Sequence, residues 1–169
     1  IIENKRREAI KRGRLISGNQ DFVDAKLKFD DKSLNCKVRL KGDLPDHWSN
    51  DKLSLRVKLK ESNFKGLNYF SLQRHGTRQD TGQWLFLKSL QEEGLLAVNY
   101  HFINFKINGK KLGIYALEGH FADDLAETNQ KREGVIISFD EYRYWNDNGS
   151  LEDSKRGIRL LEQSEILIR

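Results

Sequence analysis

The sequence has no methionine, one cysteine and no long apolar run among its 169 residues. Because even an initiating methionine is missing, we expect the chain to be a piece of a longer protein. Its longest apolar stretch, near Leu95–Val98, is far shorter than the ~20 residues that a membrane-spanning helix needs, and no secretory signal is visible. The sequence therefore predicts no membrane span in this chain, while membrane anchoring of the parent protein stays open.

The single cysteine and the four histidines restrict the chemistry further. Cys36 alone excludes a disulfide within the chain, and its position in a strand pattern predicts a buried, unreactive thiol. No histidine shows metal-ligand spacing with Cys36 or with another histidine. The sequence therefore indicates neither a disulfide scaffold nor a metal site built from these residue types.

Charge is the next constraint. The formal net charge is +5, from 30 lysines and arginines against 25 aspartates and glutamates. Six of the basic residues and two of the acidic ones lie in the first fourteen positions. This segment is either the solvated face of a helix or an anion-attracting segment beside a membrane. No nucleic-acid-binding module accompanies it, so nucleic acid is not an expected partner.

Hydrophobic periodicity predicts an α+β fold, with a mostly antiparallel sheet and packed helices. Helices are predicted at 2–13, 79–96, 120–130 and 150–167. Strands are predicted at 21–31, 34–42, 52–60, 68–73 and 134–142, with a β-hairpin at 100–121. Gly13 and Gly94 are placed to end their helices, and Thr81 is placed to cap the second one with its side chain. Asn108-Gly109 is the strongest local signal, because a two-residue turn needs positive φ at both positions.

Basic residues alternate with apolar ones in two runs of the segment KVRLKGDLPDHWSNDKLSLRVKLK. The basic positions are Lys37, Arg39, Lys41, Arg56, Lys58 and Lys60. Such alternation is common on the wet face of a sheet. Repeated on successive strands, it also suits a binding site for an anion, and both interpretations are open at this point.

Several motifs of the chain together carry a family resemblance. The predicted order of strands, one helix and a hairpin is that of a protein-kinase N-terminal lobe, although the chain lacks G-x-G-x-x-G and H-R-D. The segments VRLKGDLPDHW, SLRVKLK, FSLQRHGTR, QWLFLKSLQEEGLL, YHFINFKINGKKLGIYALEGHF and NQKREGVIISFDEYRYW occur in that order. Over roughly residues 20–145, they resemble the CotH family, atypical protein kinases named after a spore-coat protein.

The resemblance implies ATP-dependent phosphoryl transfer to protein serine or threonine, with Mg²⁺ or Mn²⁺. Lys58 is similar to the strand lysine that holds nucleotide phosphates. Arg39 resembles the basic position before the family's glycine turn, and Gly42 and Asp43 lie where that turn is expected to cover the nucleotide. Glu118 lies at the counterpart of the linker between the two lobes, where backbone groups would meet adenine.

Arg56 and Arg78 complete the set of nucleotide-binding residues expected from the resemblance. Arg78 either reaches a phosphate or caps the loop that enters the second helix. His47 is either a polar site residue or a hydrogen-bonding residue that stabilises its loop. Trp48, Trp84 and Trp145 either line a ligand groove or pack in the core, and packing is the expected role.

The sequence departs from the family pattern at three places. Gln83 stands where an acidic residue is expected at the start of the central helix, and Gly119 follows Glu118 where a second acid is expected. The Trp-Asp-x-Asp stretch that supplies metal ligands is absent, so the catalytic aspartate and the metal ligands are expected beyond residue 169. This chain alone is therefore expected to be inactive.

The resemblance divides the chain into a basic helix at 1–18, a kinase-N-lobe-like domain at 19–145 and a polar, helical segment at 146–169. It also favours the cell envelope, the cell surface or the spore coat as the location. The alternative interpretation is a non-catalytic surface or coat module, which keeps the fold and binds acidic partners or glycans through its basic residues.

Overall fold

A computed structural model describes residues 1–60, 63–120, 125–132, 136–139 and 158–161. Its helices are α1 (Ile2–Arg12), α2 (Gly82–Glu92) and the short α3 (Leu125–Thr128). Its strands are β1 (Val23–Phe29), β2 (Lys32–Leu40), β3 (Leu55–Leu59), β4 (Tyr69–Arg74), β5 (Tyr100–Ile107), β6 (Lys110–Gly119), β7 (Ile136–Phe139) and β8 (Ile158–Leu161). The first six strands form one antiparallel sheet in the order β1-β2-β3-β4-β6-β5. The predicted α+β class with a mostly antiparallel sheet is confirmed.

The predicted turns follow from backbone conformations that few residues adopt. Asn108 and Gly109 have φ of 49° and 81°, so the β5–β6 hairpin has the two-residue turn that its sequence predicts. Gly13 has φ of 71° and ends α1, with its N–H bonded to the carbonyl of Ile10. These glycines accept the left-handed region at low cost because they lack a Cβ.

For helix α2, the prediction from the sequence is right at the C-terminal end and wrong at the N-terminal cap. Gly94 has φ of 68°, and the next amide, Leu95 N–H, bonds to the carbonyl of Leu90 at 2.8 Å, as in a glycine-terminated helix. Thr81 occupies the N-cap position, yet its side chain makes no capping bond. Its φ and ψ of −86° and −10° are helical rather than extended, so the predicted side-chain cap is wrong.

The core lies on one side of the sheet, where the apolar residues of each strand alternate with polar ones. Leu40, Val57, Phe70 and Leu117 are at most 2 % exposed. Trp48 is 1 % exposed and packs in the same cluster, together with Ala9 of α1. The expected core role of Trp48 is therefore confirmed, as is the buried thiol of Cys36. Trp84, by contrast, is 36 % exposed.

Helix α1 binds to the rest of the protein through side chains that the sequence indicated only as charge. Arg6 donates from Nε to the carbonyl of Trp48 at 2.8 Å and from Nη2 to those of Ser49 and Asn50 at 3.3 and 3.2 Å. Lys5 pairs with the buried Asp21 at 3.1 Å. Part of the basic N-terminal segment is therefore structural, while other basic side chains of the helix are exposed.

The chain forms two compact units, Ile1–Phe121 and Ala122–Arg169. The second contains α3 and the antiparallel pair β7–β8, in which Ile136 lies opposite Leu161. Strand β7 confirms the strand predicted there over the part that is described. The helix predicted at 150–167 is wrong at residues 158–161, because they pair with β7 as a strand. The remainder of that prediction, and Trp145, lie outside the described residues.

Candidate functional site

The side of the sheet opposite the core carries a row of polar side chains across four strands. Arg39 of β2 lies opposite Arg56 of β3, and Arg56 lies opposite Ser71 of β4. Ser71 in turn lies opposite Glu118 of β6. We call this side the polar face; it comprises Lys37, Arg39, Lys41, Arg56, Lys58, Tyr69, Ser71, Gln73 and Glu118. Directly opposed residues of an antiparallel pair share a face, so this row brings the predicted Arg39, Arg56 and Glu118 to one surface.

A hydrogen-bonded triad stands at one end of the polar face. Lys41 Nζ lies 2.8 Å from Glu118 Oε2 and 2.8 Å from Gln73 Oε1. Gln73 Nε2 donates to the same Glu118 oxygen at 2.9 Å, and Gln73 is fully buried. The side chains of Lys41 and Glu118 are only 12 % and 14 % exposed. Gln73 and Glu118 therefore restrict the position of the Lys41 ammonium at a site with low exposure to solvent.

The loop that follows β2 begins with Lys41, and its conformation depends on Gly42 and His47. Gly42 has φ of 92°, and a Cβ added to it would lie 2.1 Å from the ring of His47. The carbonyl of Gly42 accepts a bond from Trp48 Nε1 at 3.1 Å. His47 is buried and its Nδ1 lies 3.0 Å from Ser54 Oγ, which supports the loop-stabilising role of His47. Only glycine fits at position 42, because the backbone there crosses directly over an imidazole.

Each of the two arginines of the row stacks on an aromatic ring. Arg39 Cζ lies 5.2 Å from the centre of the Phe22 ring, and Arg56 Cζ lies 5.2 Å from that of Tyr69. Arg39 also donates to Ser17 Oγ and, at 3.4 Å, to the carbonyl of Leu40. Burial lowers the pKa of the Arg56 guanidinium, and nearby Arg39 lowers it further. Stacking of this kind fixes a planar guanidinium while leaving N–H groups at its rim.

The structure places Lys58 on the polar face but outside the triad. It is exposed, lies opposite both Lys37 and Tyr69, and is one pleat further along β3 than Arg56. Asp43 is also exposed, and its carbonyl accepts the N–H of Leu15 at 3.1 Å. The nucleotide-phosphate role predicted for Lys58 stays a prediction.

Glu118 lies within β6 with strands on both sides, opposite Ser71 and Tyr100. Its carboxylate binds Lys41 and Gln73. The sequence indicated no such side-chain role for Glu118. The backbone contact with adenine predicted for it is a separate matter, and it stays a prediction.

Two predicted positions lie apart from this row, where β4 leads into α2. Arg78 belongs to the 3-10 turn His75–Arg78, and its side chain is outside the described part. Gln83 lines an open groove of about 420 Å³ together with Thr77, Gln79, Gly82 and Phe86. No residue of the first turn of α2 is acidic. Helix α2 therefore supplies no carboxylate at the place where the family pattern expects one.

Sequence reasoning missed Gln73 and Ser71, and it noticed Lys41 only as part of a pattern. The alternation of Lys37, Arg39 and Lys41 did place Lys41 on the same side as Arg39. Gln73 and Ser71 belong to a short predicted strand with no charged residue to draw attention. Both are buried, at 0 % and 1 % exposure, and a buried polar side chain on a strand is the signal that only the structure provides.

The polar face is the only candidate site that combines several charged groups in the part of the chain that the structure describes. Among those residues, no three histidine, cysteine, aspartate or glutamate side chains come together in a way that could hold a metal ion. Within the same residues, no helix has the length and apolar character needed to cross a membrane. No protein-family model matches the sequence, and no curated protein matches it.

Proposed function

We propose that this chain is the nucleotide-binding part of an atypical protein kinase of the CotH type, which transfers phosphate from ATP to protein serine or threonine. The proposal starts from the resemblance of the motifs and is supported by the arrangement of the sheet. Strands β2 to β4, helix α2 and the hairpin β5–β6 follow one another in the order of a kinase N-terminal lobe. Strand β1 precedes them as an additional edge strand.

The observation that carries the proposal is the ion pair between Lys41 and Glu118 beside the Gly42 turn. Protein kinases hold nucleotide phosphates with a lysine that a glutamate keeps in place, under a glycine-containing turn. Here the glutamate comes from β6 instead of a helix, and Gln73 braces both partners. The pair thus combines a lysine with an acidic residue that orients it, a role that the neutral Gln83 of α2 cannot fill.

The chemistry that this chain can supply is binding and orientation. Lys41, Arg39 and Arg56 bring three positive charges to neighbouring positions of one face, which lowers the electrostatic cost of a polyphosphate. The described residues contain no set of ligands that fits Mg²⁺ or Mn²⁺. No transfer step is therefore assigned to this chain, and the residues that would hold the metal and accept the proton are expected elsewhere in the parent protein.

The test is an NMR titration of the chain with ATP, in the presence of Mg²⁺ or Mn²⁺, for the wild type, Lys41→Met and Lys58→Ala. We expect saturable shifts at the amides of the polar face, and at least about tenfold weaker binding in Lys41→Met, because a lost charge-assisted bond costs about 1.5–3 kcal/mol. Lys58→Ala is expected to weaken binding by a similar factor if Lys58 also contacts a phosphate. Lys28→Gln is the matched control, since Lys28 is exposed on edge strand β1 opposite Ser33. Absence of ATP-dependent shifts at millimolar ATP would reject the proposal.

The alternative, a non-catalytic module that binds acidic partners, predicts a different result in the same titration. An acidic peptide or a sulfated glycan would then shift the signals of Lys37 and Lys58, which are exposed. ATP would compete only through its charge, and its affinity would fall with salt as that of any other polyanion does.

A further inference from the structure

We propose that Arg39, Arg56 and Ser71 form a binding site for a phosphoryl group that needs no metal ion. The site is one part of the polar face. The inference rests on the proposed function, because a nucleotide would supply the phosphoryl group. Free phosphate and pyrophosphate carry the same chemistry and allow the subsite to be tested alone.

The first observation is the placement of two positive charges directly opposite each other. Arg39 and Arg56 are in register on neighbouring strands, where Cβ atoms lie ~4.5–5.5 Å apart. Like charges at such positions destabilise a sheet. Neither arginine forms an ion pair with a carboxylate in the described part of the chain. The fold therefore keeps an electrostatic repulsion that a bound dianion would convert into attraction.

The second observation is a set of buried polar atoms without partners at the same place. Arg39 Nε, Arg56 Nε and Ser71 Oγ are all shielded from solvent and make no hydrogen bond to any residue that the structure describes. Ser71 itself is 1 % exposed and lies directly opposite Arg56. Buried polar groups are satisfied in the great majority of cases, so three unsatisfied ones in one row of a sheet need a physical reason. Oxygens of a phosphoryl group lying on the polar face would supply acceptors for these three donors.

The third observation is that the nearby carboxylates are already engaged. Glu118, opposite Ser71, is bound to Lys41 and Gln73. Asp24 on β1 pairs with Lys60 at 2.8 Å. The carboxylates closest in the strand register are thus directed to lysines, and within the described residues neither of them forms an ion pair with Arg39 or Arg56.

The residue types indicate which anion fits. Guanidinium groups bind phosphoryl oxygens through parallel N–H bonds, and a hydroxyl adds one further donor. Two guanidinium groups balance the two charges of a phosphate monoester, so no divalent cation is required for neutrality. Stacking on Phe22 and Tyr69 holds both planes in place before the ligand arrives, and such preorganisation reduces the entropic cost of binding.

The experiment titrates the chain with inorganic phosphate, pyrophosphate, ATP and adenosine, each with EDTA present, and follows the arginine Nε–H signals by NMR. Variants are Arg39→Gln, Arg56→Gln, Arg56→Lys and Ser71→Ala, with Lys28→Gln as the charge-matched control. We expect pyrophosphate and ATP to shift both Nε–H signals, and adenosine to shift neither. Arg56→Gln should weaken pyrophosphate binding at least about tenfold, Arg56→Lys about threefold or more, and Lys28→Gln less than twofold.

A thermal readout separates binding from folding. Pyrophosphate should raise the melting temperature of the wild type and of Lys28→Gln, since a ligand stabilises the state that it binds. It should not raise that of Arg56→Gln. Ser71→Ala keeps both charges and removes only the hydroxyl. Weaker pyrophosphate binding by the folded Ser71→Ala protein would therefore report on the geometry of the site and not on its charge.

The outcomes distinguish this inference from the proposed function. Binding of ATP that depends on Lys41 but is unchanged in Arg39→Gln and Arg56→Gln would overturn the inference and leave the proposed function standing. Binding of pyrophosphate that depends on Arg56, without binding of ATP, would support the subsite and count against the nucleotide function. Equal pyrophosphate affinity in Arg56→Gln and Lys28→Gln would overturn the subsite.

Discussion

Lys41 and Glu118 are 77 positions apart in the chain and form an ion pair of 2.8 Å that Gln73 shares through hydrogen bonds to both. The pair joins the loop after β2 to strand β6 across the middle of the sheet. It fixes a lysine on the polar face without any acidic residue from helix α2.

Removing one partner of this pair should cost more than removing both. Glu118→Gln leaves a mostly buried ammonium without its counter-charge, and we expect the free energy of unfolding to fall by about 2–3 kcal/mol. The double variant Lys41→Met with Glu118→Leu should recover at least half of that loss, because no buried charge remains. Urea unfolding of both single variants and the double variant measures the coupling, and strictly additive effects would contradict the buried pair.

Gly42 should tolerate no side chain. Alanine there would need φ near 92° and would place its Cβ 2.1 Å from the His47 ring, so we expect a loss of about 2 kcal/mol or more in urea unfolding. Gly66 is the matched control: it has φ of 78° with open space around the added Cβ. Gly66→Ala should therefore cost only the conformational strain, about 1 kcal/mol. Equal losses at the two positions would argue against the close approach to His47.

Arg6 should stabilise the protein although it lies in a segment of high charge. Arg6→Ala removes three bonds to the carbonyls of residues 48–50, and we expect a loss of about 1.5–3 kcal/mol. The neighbouring Arg7 is exposed, and among the described residues its hydrogen bond goes to Asn4 of the same helix, so Arg7→Ala should change stability by less than about 0.5 kcal/mol. If α1 were only a solvated helix, Arg6→Ala and Arg7→Ala would lower the free energy of unfolding equally in chemical denaturation.

Tyr115 should make the fold sensitive to alkali. Burial raises the pKa of its phenol to about 12, above the ordinary value near 10. Because the folded state holds this proton more tightly, its stabilising contribution is complete below about pH 10 and is lost as the pH rises toward 12. Comparing urea midpoints of the wild type and Tyr115→Phe over this range should show a difference that shrinks with pH. A constant difference would contradict the raised pKa.

The strands and turns could be predicted because their signals are local. Alternation of apolar residues marks β1 to β4, and Asn108-Gly109 determines one turn almost by itself. Helix α2 shows where local reasoning fails: Thr81 has the right chemistry for a cap, but its backbone is already helical. The strand at residues 158–161 was missed for the opposite reason, since its pairing with β7 is a contact between distant segments that no local pattern encodes.

The candidate site was predictable in its charges but not in its contacts. Alternation predicts that Arg39 and Arg56 each lie on the polar side of their own strand. Their register, and the position of Ser71 opposite Arg56, depend on which strands are neighbours. The resemblance indicates Lys58 as the phosphate lysine. The structure adds that Lys41 has a buried glutamate partner, whereas Lys58 is exposed.

Strand β6 pairs with β4 although α2 and β5 come between them in the chain. The hairpins β1–β2 and β5–β6 close short loops and can form early, whereas β4–β6 pairing must first close a long one. Glu118 meets Gln73 and Lys41 only when that closure is complete. During synthesis Lys41 therefore emerges well before the glutamate that binds it, and the polar face acquires its final charge pattern only when β6 pairs with β4.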